Sequence, residues 1–126
     1  MSNWLDVGAH DEIVKRRKLV VEHGAHVLFV FVHDGQVRAF RNICIHKQRE
    51  LIKGVILNGR IICPGHQWAF ELDSGWEAKM ERCQPTFDVR IEDGRVLVDL
   101  DSAASRIEKT LLAHGVDPLA DPAPTT

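Results

Sequence analysis

The amino-acid sequence predicts an all-β protein, built as an antiparallel sandwich or small barrel. The main evidence is three dipeptides, Asp34-Gly35, Asn58-Gly59 and Asp93-Gly94, each of which separates two short apolar segments. Asp-Gly and Asn-Gly favour a left-handed backbone at both turn positions, which suits a two-residue hairpin between antiparallel strands. A longer turn signal at 73–75 follows another apolar segment, and the segments are rich in Val, Ile and Phe. Short strands at this regular spacing are typical of sandwiches and small barrels.

The predicted strands follow from these turns in chain order. They are residues 18–21, 26–32, 36–40, 55–57, 60–62, 68–72, 87–91 and 95–100. Apolar and charged residues alternate from Phe87 to Ile91, which predicts one buried face and one exposed face. Residues 27–32 and 96–98 do not alternate, so both faces of these strands are predicted to be covered.

Two short helices are predicted outside the strands. Residues 10–14 are compatible with one helical turn, although no good N-cap residue precedes them. Near the C-terminus, Ser105 and Glu108 have the spacing of a capping box, which predicts a helix at 106–114. Gly115 is placed to end that helix, because glycine readily adopts the left-handed conformation there.

Length and composition fit one folded domain. The chain has 126 residues, of which 44% are hydrophobic and 27% charged, values ordinary for a folded protein. We assign residues 1–100 to the β domain, with two functional loops at about 42–52 and 62–76. Residues 101–126 are assigned to the short helix and a loose tail that begins at residue 117.

Charge and hydropathy argue against several partners. The net charge of −2 provides no basic excess to neutralise phosphates, so we expect no nucleic-acid partner. The longest apolar run, 27–32, is far too short to span a bilayer, and the first fifteen residues contain no apolar signal-peptide core. We therefore expect a cytoplasmic protein whose cysteines stay reduced. We also expect it to be a monomer.

Four residues form a pattern that indicates a metal site. Cys44 and His46 are followed by sixteen residues and then by Cys63 and His66. Each pair lies next to a predicted hairpin strand, so two loops can converge at one end of a sheet. Two thiolates and two imidazoles arriving from two loops are suitable ligands for a metal.

The distribution of the ligands bears on the identity of the metal. Zinc fingers often keep two Cys together and two His together, whereas here each loop supplies one of each. Such mixed loops suit a two-iron cluster in which both thiolates bind one iron and both imidazoles the other. A structural zinc ion, or unrelated core thiols and surface imidazoles, remain alternative interpretations of the same four residues.

The sequence resembles the Rieske [2Fe–2S] ferredoxins that serve bacterial aromatic-ring dioxygenases. The resemblance covers roughly residues 4–100. It rests on 42–46, Leu51, Gly54, 61–66, Trp68, Phe70, 73–75 and 92–94. It implies one [2Fe–2S] cluster per chain, with Cys44 and Cys63 on one iron and His46 and His66 on the other, solvent-facing iron.

The resemblance also implies a function. Such a ferredoxin is a one-electron carrier from a flavin-dependent NAD(P)H reductase to a terminal oxygenase, and catalyses nothing alone. An alternative is a Rieske-like small subunit of a larger oxidoreductase, such as NAD(P)H nitrite reductase. A third possibility is a zinc-stabilised interaction module without a redox role. Iron content and colour separate the third possibility from the other two.

Several residues depart from the family pattern. Ile45 stands where Pro or Thr is common, and Gln48 and Gln67 stand where Gly is common. Arg49 and Gly65 occupy the positions of the disulfide cysteines of respiratory Rieske proteins, so that bridge is absent here.

The residues near the expected cluster predict a low reduction potential. Trp68 and Phe70 occupy the positions of the Ser and Tyr whose hydroxyls assist reduction in the respiratory proteins, and the chain contains no tyrosine. With those donors missing, we expect a potential at the low end of the Rieske range of about −150 to +300 mV.

Residues flanking the expected ligands suggest further roles. Lys47, Gln48, Arg49 and Gln67 surround the two histidines in sequence, and Lys47 and Arg49 are candidates for steering an acidic partner. The third cysteine, Cys83, is predicted to be a small buried hydrophobe rather than a ligand. Pro85 matches either the family's cluster-shielding proline loop or a simple turn proline.

Overall fold

The computed structural model describes residues 2–45, 49–64 and 68–117, and the chain within these ranges forms short antiparallel strands and two α-helices. The strands are β1 (Trp4–Ala9), β2 (Lys18–His23), β3 (His26–His33), β4 (Gln36–Arg41), β5 (Val55–Leu57), β6 (Arg60–Ile62), β7 (Ala69–Glu71), β8 (Trp76–Glu77), β9 (Arg82–Cys83), β10 (Thr86–Phe87), β11 (Val89–Glu92) and β12 (Arg95–Asp99). The largest sheet has the order β10-β4-β3-β2, and a second has the order β1-β12-β11. A third sheet has the order β5-β6-β7, and β8 and β9 form a small hairpin. The predicted all-β class is confirmed.

Strand β3 separates two hydrophobic cores. Leu28 and Val30 face one core, and Phe29 and Phe31 face the other, because successive side chains of a strand point to opposite faces. All four are at most 1% exposed, which confirms the prediction that both faces are covered. The buried members of the first, or basal, core are Ile13, Leu28, Val30, Val37, Ala39, Phe87, Val96, Val98 and Leu100. Those of the second, or cysteine-side, core are Phe29, Phe31, Phe40, Cys44, Leu51, Ile61, Cys63, Phe70 and Leu72.

The three predicted two-residue hairpins are confirmed by their backbone angles. Asp34, Asn58 and Asp93 have φ of 51°, 53° and 51°, and the glycine after each has φ of 73° or 74°. Two successive residues with positive φ give the turn whose twist matches antiparallel strands. These turns therefore join β3 to β4, β5 to β6 and β11 to β12.

The predicted strand 87–91 is wrong as a single element. Thr86–Phe87 pairs with β4 in the largest sheet, whereas Val89–Glu92 pairs with β12 in the second sheet. Asp88 lies between them and donates its backbone N–H to the Ser102 hydroxyl at 2.8 Å, outside either ladder. Ile91 is 50% exposed, so the alternating pattern does not continue one buried face across the change of sheet.

The first helix, α1 (His10–Arg16), is longer than the predicted single turn. Its N-cap, Ala9, makes no side-chain capping bond, as the sequence indicates, and its one buried residue is Ile13. Packing of Ile13 in the basal core accounts for a helix that local signals alone support weakly. Arg17 ends the helix with φ 68° and donates its N–H to the Ile13 carbonyl.

The second helix, α2 (Ala103–Ala113), begins earlier than predicted. Its N-cap is Ser102, so the expected capping box of Ser105 and Glu108 is wrong. The Ser102 hydroxyl donates to the Asp99 carbonyl at 2.6 Å, and these contacts with the end of β12 set the start of the helix. Gly115, with φ 75°, follows the C-terminus as predicted. Most of the predicted tail, from residue 118 on, lies outside the described residues.

Arg106 and His114 fasten α2 to the body of the protein. The Arg106 guanidinium donates to Thr86 Oγ1 at 2.8 Å, to Asp88 Oδ1 at 2.6 Å and to the Asp73 carbonyl at 2.7 Å. The His114 ring stacks on Trp76 with ring centroids 4.0 Å apart. Of the helices in the described ranges, none has the length and apolar character needed to cross a bilayer.

Gly75 lies where the backbone leaves no room for a side chain. Its φ is 78°, and a Cβ there would clash with the Gln84 carbonyl oxygen. At Gly94 φ is 73°, but apart from Gly94 and its two chain neighbours no residue has an atom within 4 Å of the position of an added Cβ.

We expect Gly94→Ala to cost about 1 kcal/mol of unfolding free energy, for the left-handed backbone alone. We expect Gly75→Ala to cost at least about 3 kcal/mol, because the clash adds to that strain. Equal losses for the two variants in denaturant unfolding would contradict this account.

Candidate metal centre

A buried asparagine holds together the two ends of the first loop. Asn42 is fully buried at the end of β4 and donates its N–H to the Val27 carbonyl at 2.8 Å. Its own carbonyl accepts from the Leu51 N–H at 2.6 Å, and its Oδ1 accepts from the Ile52 N–H at 3.1 Å. Because a buried amide must satisfy its polar atoms internally, these bonds fix where the loop leaves and rejoins the sheet.

The two loops are closed by the same kind of hydrogen bond. The Cys44 N–H donates to the Arg49 carbonyl and the Cys63 N–H donates to the Trp68 carbonyl, each at 2.8 Å. Each bond spans five residues, and each encloses in sequence the histidine that follows the cysteine. His46 and His66 themselves lie outside the described residues, as do Lys47, Gln48, Gly65 and Gln67. The shared closure therefore places both cysteines at the bases of matching loops.

The β5-β6-β7 sheet positions Cys63. Ile62, the last residue of β6, pairs with Val55 on one side and Ala69 on the other, and Cys63 follows it directly. Gly54 makes this approach possible, because a Cβ there would clash with the Ile62 carbonyl oxygen. The inner face of the sheet packs in the cysteine-side core, so Cys63 enters that core from a rigid strand end.

The two thiols meet in an apolar environment. Cys44 and Cys63 are each 1% exposed and belong to the same core. Burial, and secondarily the neighbouring Cys44 thiol, raise the pKa of Cys63 well above its usual value, while the Arg49 guanidinium acts in the opposite direction. Two adjacent thiolates in this pocket are therefore unfavourable unless a cation balances their charge.

This donor set fits one end of an iron–sulfur cluster. Paired soft thiolates are the ligands that iron in such clusters takes, and binding would displace the protons that burial favours. All three cysteines lie in the described ranges, and they form no disulfide. Within those ranges no group of three or more His, Cys, Asp and Glu side chains is placed to hold a metal ion. The thiol pair and its two loops are thus the candidate centre.

Trp68 and Phe70, neither of which carries a hydroxyl group, lie at the core that contains the thiol pair. Phe70 is fully buried in the cysteine-side core, and Trp68 is partly buried with its ring 6.2 Å from that of Phe70. Arg49, in place of a disulfide cysteine, is exposed.

Sequence reasoning missed Gln84. This residue is fully buried between β9 and β10, and its side chain forms hydrogen bonds with Arg41, Ile43 and Ile45 around the first loop. Its partners are about forty residues away in sequence. The sequence gives little indication that Gln84 is buried, because glutamine is mostly an exposed residue and the following proline suggests a loop.

Pro85 lies beside the start of the first loop. Its carbonyl accepts the Arg41 N–H at 2.9 Å, at the end of β4. Pro85 therefore lies next to the segment that leads into Cys44.

Cys83 occupies a different place from the thiol pair. It is buried, as predicted, in the β8-β9 hairpin, and its thiol donates to the Ser74 carbonyl at 3.2 Å. Burial raises the pKa of Cys83 to about 11, against smaller opposing effects of Thr110 and Arg106.

The match to a known domain covers most of the chain. The sequence model of the Rieske [2Fe-2S] domain matches residues 3–95, a span that includes both loops. The chain belongs to the Rieske [2Fe–2S] domain family. It accordingly carries a [2Fe–2S] cluster, the cofactor that defines the family.

Relatives divide into short ferredoxins and longer oxygenase subunits. The chain is 30% identical to the ferredoxin component of the alkene monooxygenase system of Xanthobacter autotrophicus, over 75% of this chain and 80% of that one. It is 29% identical to the ferredoxin component of the 2,4-dinitrotoluene dioxygenase system of Burkholderia sp., over 79% of this chain and 97% of that one. It is also 30% identical to the carnitine monooxygenase oxygenase subunit of Escherichia coli, but spans only 34% of its length.

Solved structures agree with this Rieske assignment. A chain in the complex of reduced oxygenase and oxidized ferredoxin in carbazole 1,9a-dioxygenase superposes with a TM-score of 0.68 at 27% identity, covering 76% of this chain and 92% of that one. The ferredoxin of carbazole 1,9a-dioxygenase from Nocardioides aromaticivorans IC177 gives 0.67 at 21% identity, covering 77% and 97%, and shows the shared fold.

The raised pKa of Cys83 predicts that its thiol reacts slowly with alkylating reagents. Because the thiolate is the reactive form, only about one Cys83 in a thousand is reactive at pH 8. We expect alkylation of Cys83 by iodoacetamide to be slow at pH 8 and to accelerate about tenfold per pH unit up to pH 10, as followed by peptide mass spectrometry. The denatured protein is the control. Modification of Cys83 in the folded protein at pH 8 as fast as in the denatured chain would contradict the prediction.

Proposed function

We propose that this Rieske protein is a one-electron carrier in which Cys44 and Cys63 bind one iron of the cluster and His46 and His66 the other. The observation that carries the proposal is the matched pair of loops. Each begins with a buried cysteine, is closed by the cysteine's own N–H, and contains one histidine within the closure. The two thiols share one pocket, which suits binding to one iron.

The bound cluster supplies reversible uptake of one electron. The residues of the chain contribute burial and rigidity around it. Phe29, Phe31 and Phe70 line the cysteine-side core, where they exclude water from the thiol pair. The Asn42 bonds and the β6 strand end hold the two loop bases at fixed positions, so that little rearrangement accompanies a change of charge.

The proposed electron route runs from a flavin-dependent NAD(P)H reductase to a terminal oxygenase. Support comes from two relatives, of which the chain spans 80% and 97%, that are ferredoxin components of oxygenase systems. The match to the oxygenase subunit covers about a third of that protein. We therefore favour a carrier over a catalyst. We place it in the cytoplasm as a monomer, with residues 1–100 as the cluster-binding unit and 101–126 as an appended helix and tail.

A role as small subunit of a larger oxidoreductase makes a different physical prediction. A nitrite-reductase-like subunit would copurify with a catalytic large subunit, whereas a transient carrier would purify alone. Small, short-lived contacts are typical of electron-transfer proteins.

Ligand variants test the site. The purified wild-type protein is expected to contain two irons and two acid-labile sulfides per chain and to give a rhombic EPR signal after reduction. Cys44→Ser, His46→Ala, Cys63→Ser and His66→Ala should each lose most of this iron, because each removes one of four ligands. Cys83→Ala is the matched control and should retain full iron. A full cluster in His46→Ala or His66→Ala, or zinc in the wild type, would refute the assignment.

The reduction potential tests the surroundings of the cluster. Without a hydroxyl on Trp68 or Phe70 to stabilise added negative charge, the midpoint should fall at the low end of the range of about −150 to +300 mV. Protein-film voltammetry measures it directly. Phe70→Tyr should raise the midpoint, because it places a hydroxyl group where the chain now has none. A wild-type midpoint well above zero would contradict the prediction.

Charge around the cluster suggests how the partner is recognised. Segment 41–62 carries five Lys and Arg and one Glu, although the whole chain has a net charge of −2. Arg49 is exposed, and its guanidinium is near enough to the Cys63 thiol to act on its pKa. We propose that Lys47 and Arg49 steer an acidic surface of the oxygenase toward this end of the molecule.

Charge reversal tests the steering. Lys47→Glu/Arg49→Glu should slow electron transfer to the oxygenase about tenfold or more at low salt, with little change in midpoint, and the difference should vanish at high salt. Lys15→Glu/Arg16→Glu, on exposed positions of α1 beside the basal core, is the matched control. Equal electron-transfer rates for the two double variants at low salt would contradict steering by Lys47 and Arg49.

A further inference from the structure

The Gln84 side chain forms a strut between the proline segment and the first loop. Its Oε1 accepts the Ile45 N–H at 2.9 Å. Its Nε2 donates to the Arg41 carbonyl at 2.9 Å and to the Ile43 carbonyl at 2.8 Å. Gln84 is 0% exposed, so these three bonds take the place of hydrogen bonds to water.

Two of these bonds hold the peptide groups on either side of Cys44. The Ile43 carbonyl belongs to the peptide before Cys44, and the Ile45 N–H belongs to the peptide after it. Fixing both peptides restricts the backbone angles of Cys44 and therefore the direction of its thiol. Arg41 Nε also donates to the Ile43 carbonyl, at 3.0 Å, but the Ile45 N–H is held by Gln84.

The backbone on both sides of the Gln84 side chain is held by hydrogen bonds. The Gln84 N–H donates to the Gly75 carbonyl at 2.9 Å, and the backbones pack so closely that Gly75 has no room for a Cβ. On the other side, the Pro85 carbonyl accepts the Arg41 N–H. Because its backbone is held in this way, the Gln84 side chain does not move with the first loop. A displacement of the first loop therefore breaks the hydrogen bonds between the loop and the Gln84 side chain.

We propose that Gln84 is a positioning residue for the cluster, which sets the orientation of the Cys44 thiolate and thereby the retention and the reduction potential of the cluster. The proposal rests on the ligand assignment given above. It attributes to a residue outside both loops a role that the ligand motif does not contain. A residue that only stabilised the fold would alter the unfolding temperature without altering the potential at temperatures where the protein stays folded.

Two substitutions of Gln84 remove these hydrogen bonds to different extents. Gln84→Met keeps the volume but removes all three bonds. Gln84→Glu keeps an acceptor for Ile45 and loses both donors, so a carboxylate oxygen then faces the Arg41 and Ile43 carbonyls. Ser102→Ala is the matched control, because it removes buried hydrogen bonds to Asp88 and Asp99 at the far end of β12.

We expect iron release to a chelator to be at least threefold faster in both Gln84 variants than in the wild type, measured below the unfolding transition. The equilibrium constant for reduction should change at least twofold, which is about 18 mV at 59 mV per tenfold. Hydrogen exchange of peptide 42–46 should be at least tenfold faster. Ser102→Ala should lower the unfolding temperature and leave these three quantities at wild-type values.

Wild-type potential and iron release in folded Gln84→Met or Gln84→Glu would overturn the proposal. If neither variant folds, exchange in the wild type decides: an Ile45 amide that exchanges as fast as the turn amide of Gly35 would also overturn it. A protected Ile45 amide supports the strut. Absence of iron from the wild type would instead refute the ligand assignment, which keeps the two failures distinguishable.

Discussion

Two cysteine thiols buried side by side impose the main constraint on this molecule. Each is only 1% exposed, and burial holds the pKa of Cys63 well above its usual value. Thiolates in such a pocket need a positive charge next to them. A metal cluster would supply that charge, so the apolar surroundings that oppose ionisation of the free thiols would favour retention of a bound cluster. The rest of this half of the molecule holds the two thiols in place.

The two faces of β3 pack in two different cores. One face supports the basal core, which α1 and the β1-β12-β11 sheet complete and which contains none of the proposed cluster ligands. The other face supports the phenylalanines beneath the cysteines. Because β3 belongs to both cores, the loops are anchored to a strand that the basal core already orders. Arg106 extends this connection by joining α2 to the turn at Asp73 and to the sheet change at Asp88.

Features that depend on local chemistry were predictable from the sequence, and features that depend on distant partners were not. The hairpin turns follow from two adjacent residues each, and the two cysteine-containing loops from short motifs. The early start of α2 depends on Ser102 bonding to Asp99 and to Asp88, fourteen residues away. Gln84 depends on partners beyond the whole β5-β6-β7 sheet. The alternation at 87–91 conceals a change of sheet, since periodicity reports burial and not the identity of the neighbouring strand.

In the proposed cluster both thiolates bind the same iron and both imidazoles bind the other. Mössbauer spectroscopy of the oxidised protein enriched in ⁵⁷Fe tests this most directly, because the isomer shift reports the ligands of each iron separately. We expect two quadrupole doublets of equal area, one with the isomer shift of an all-sulfur site and one with the larger shift of a site with two nitrogen ligands. Two indistinguishable iron sites, or iron in a single mononuclear site, would contradict the claim.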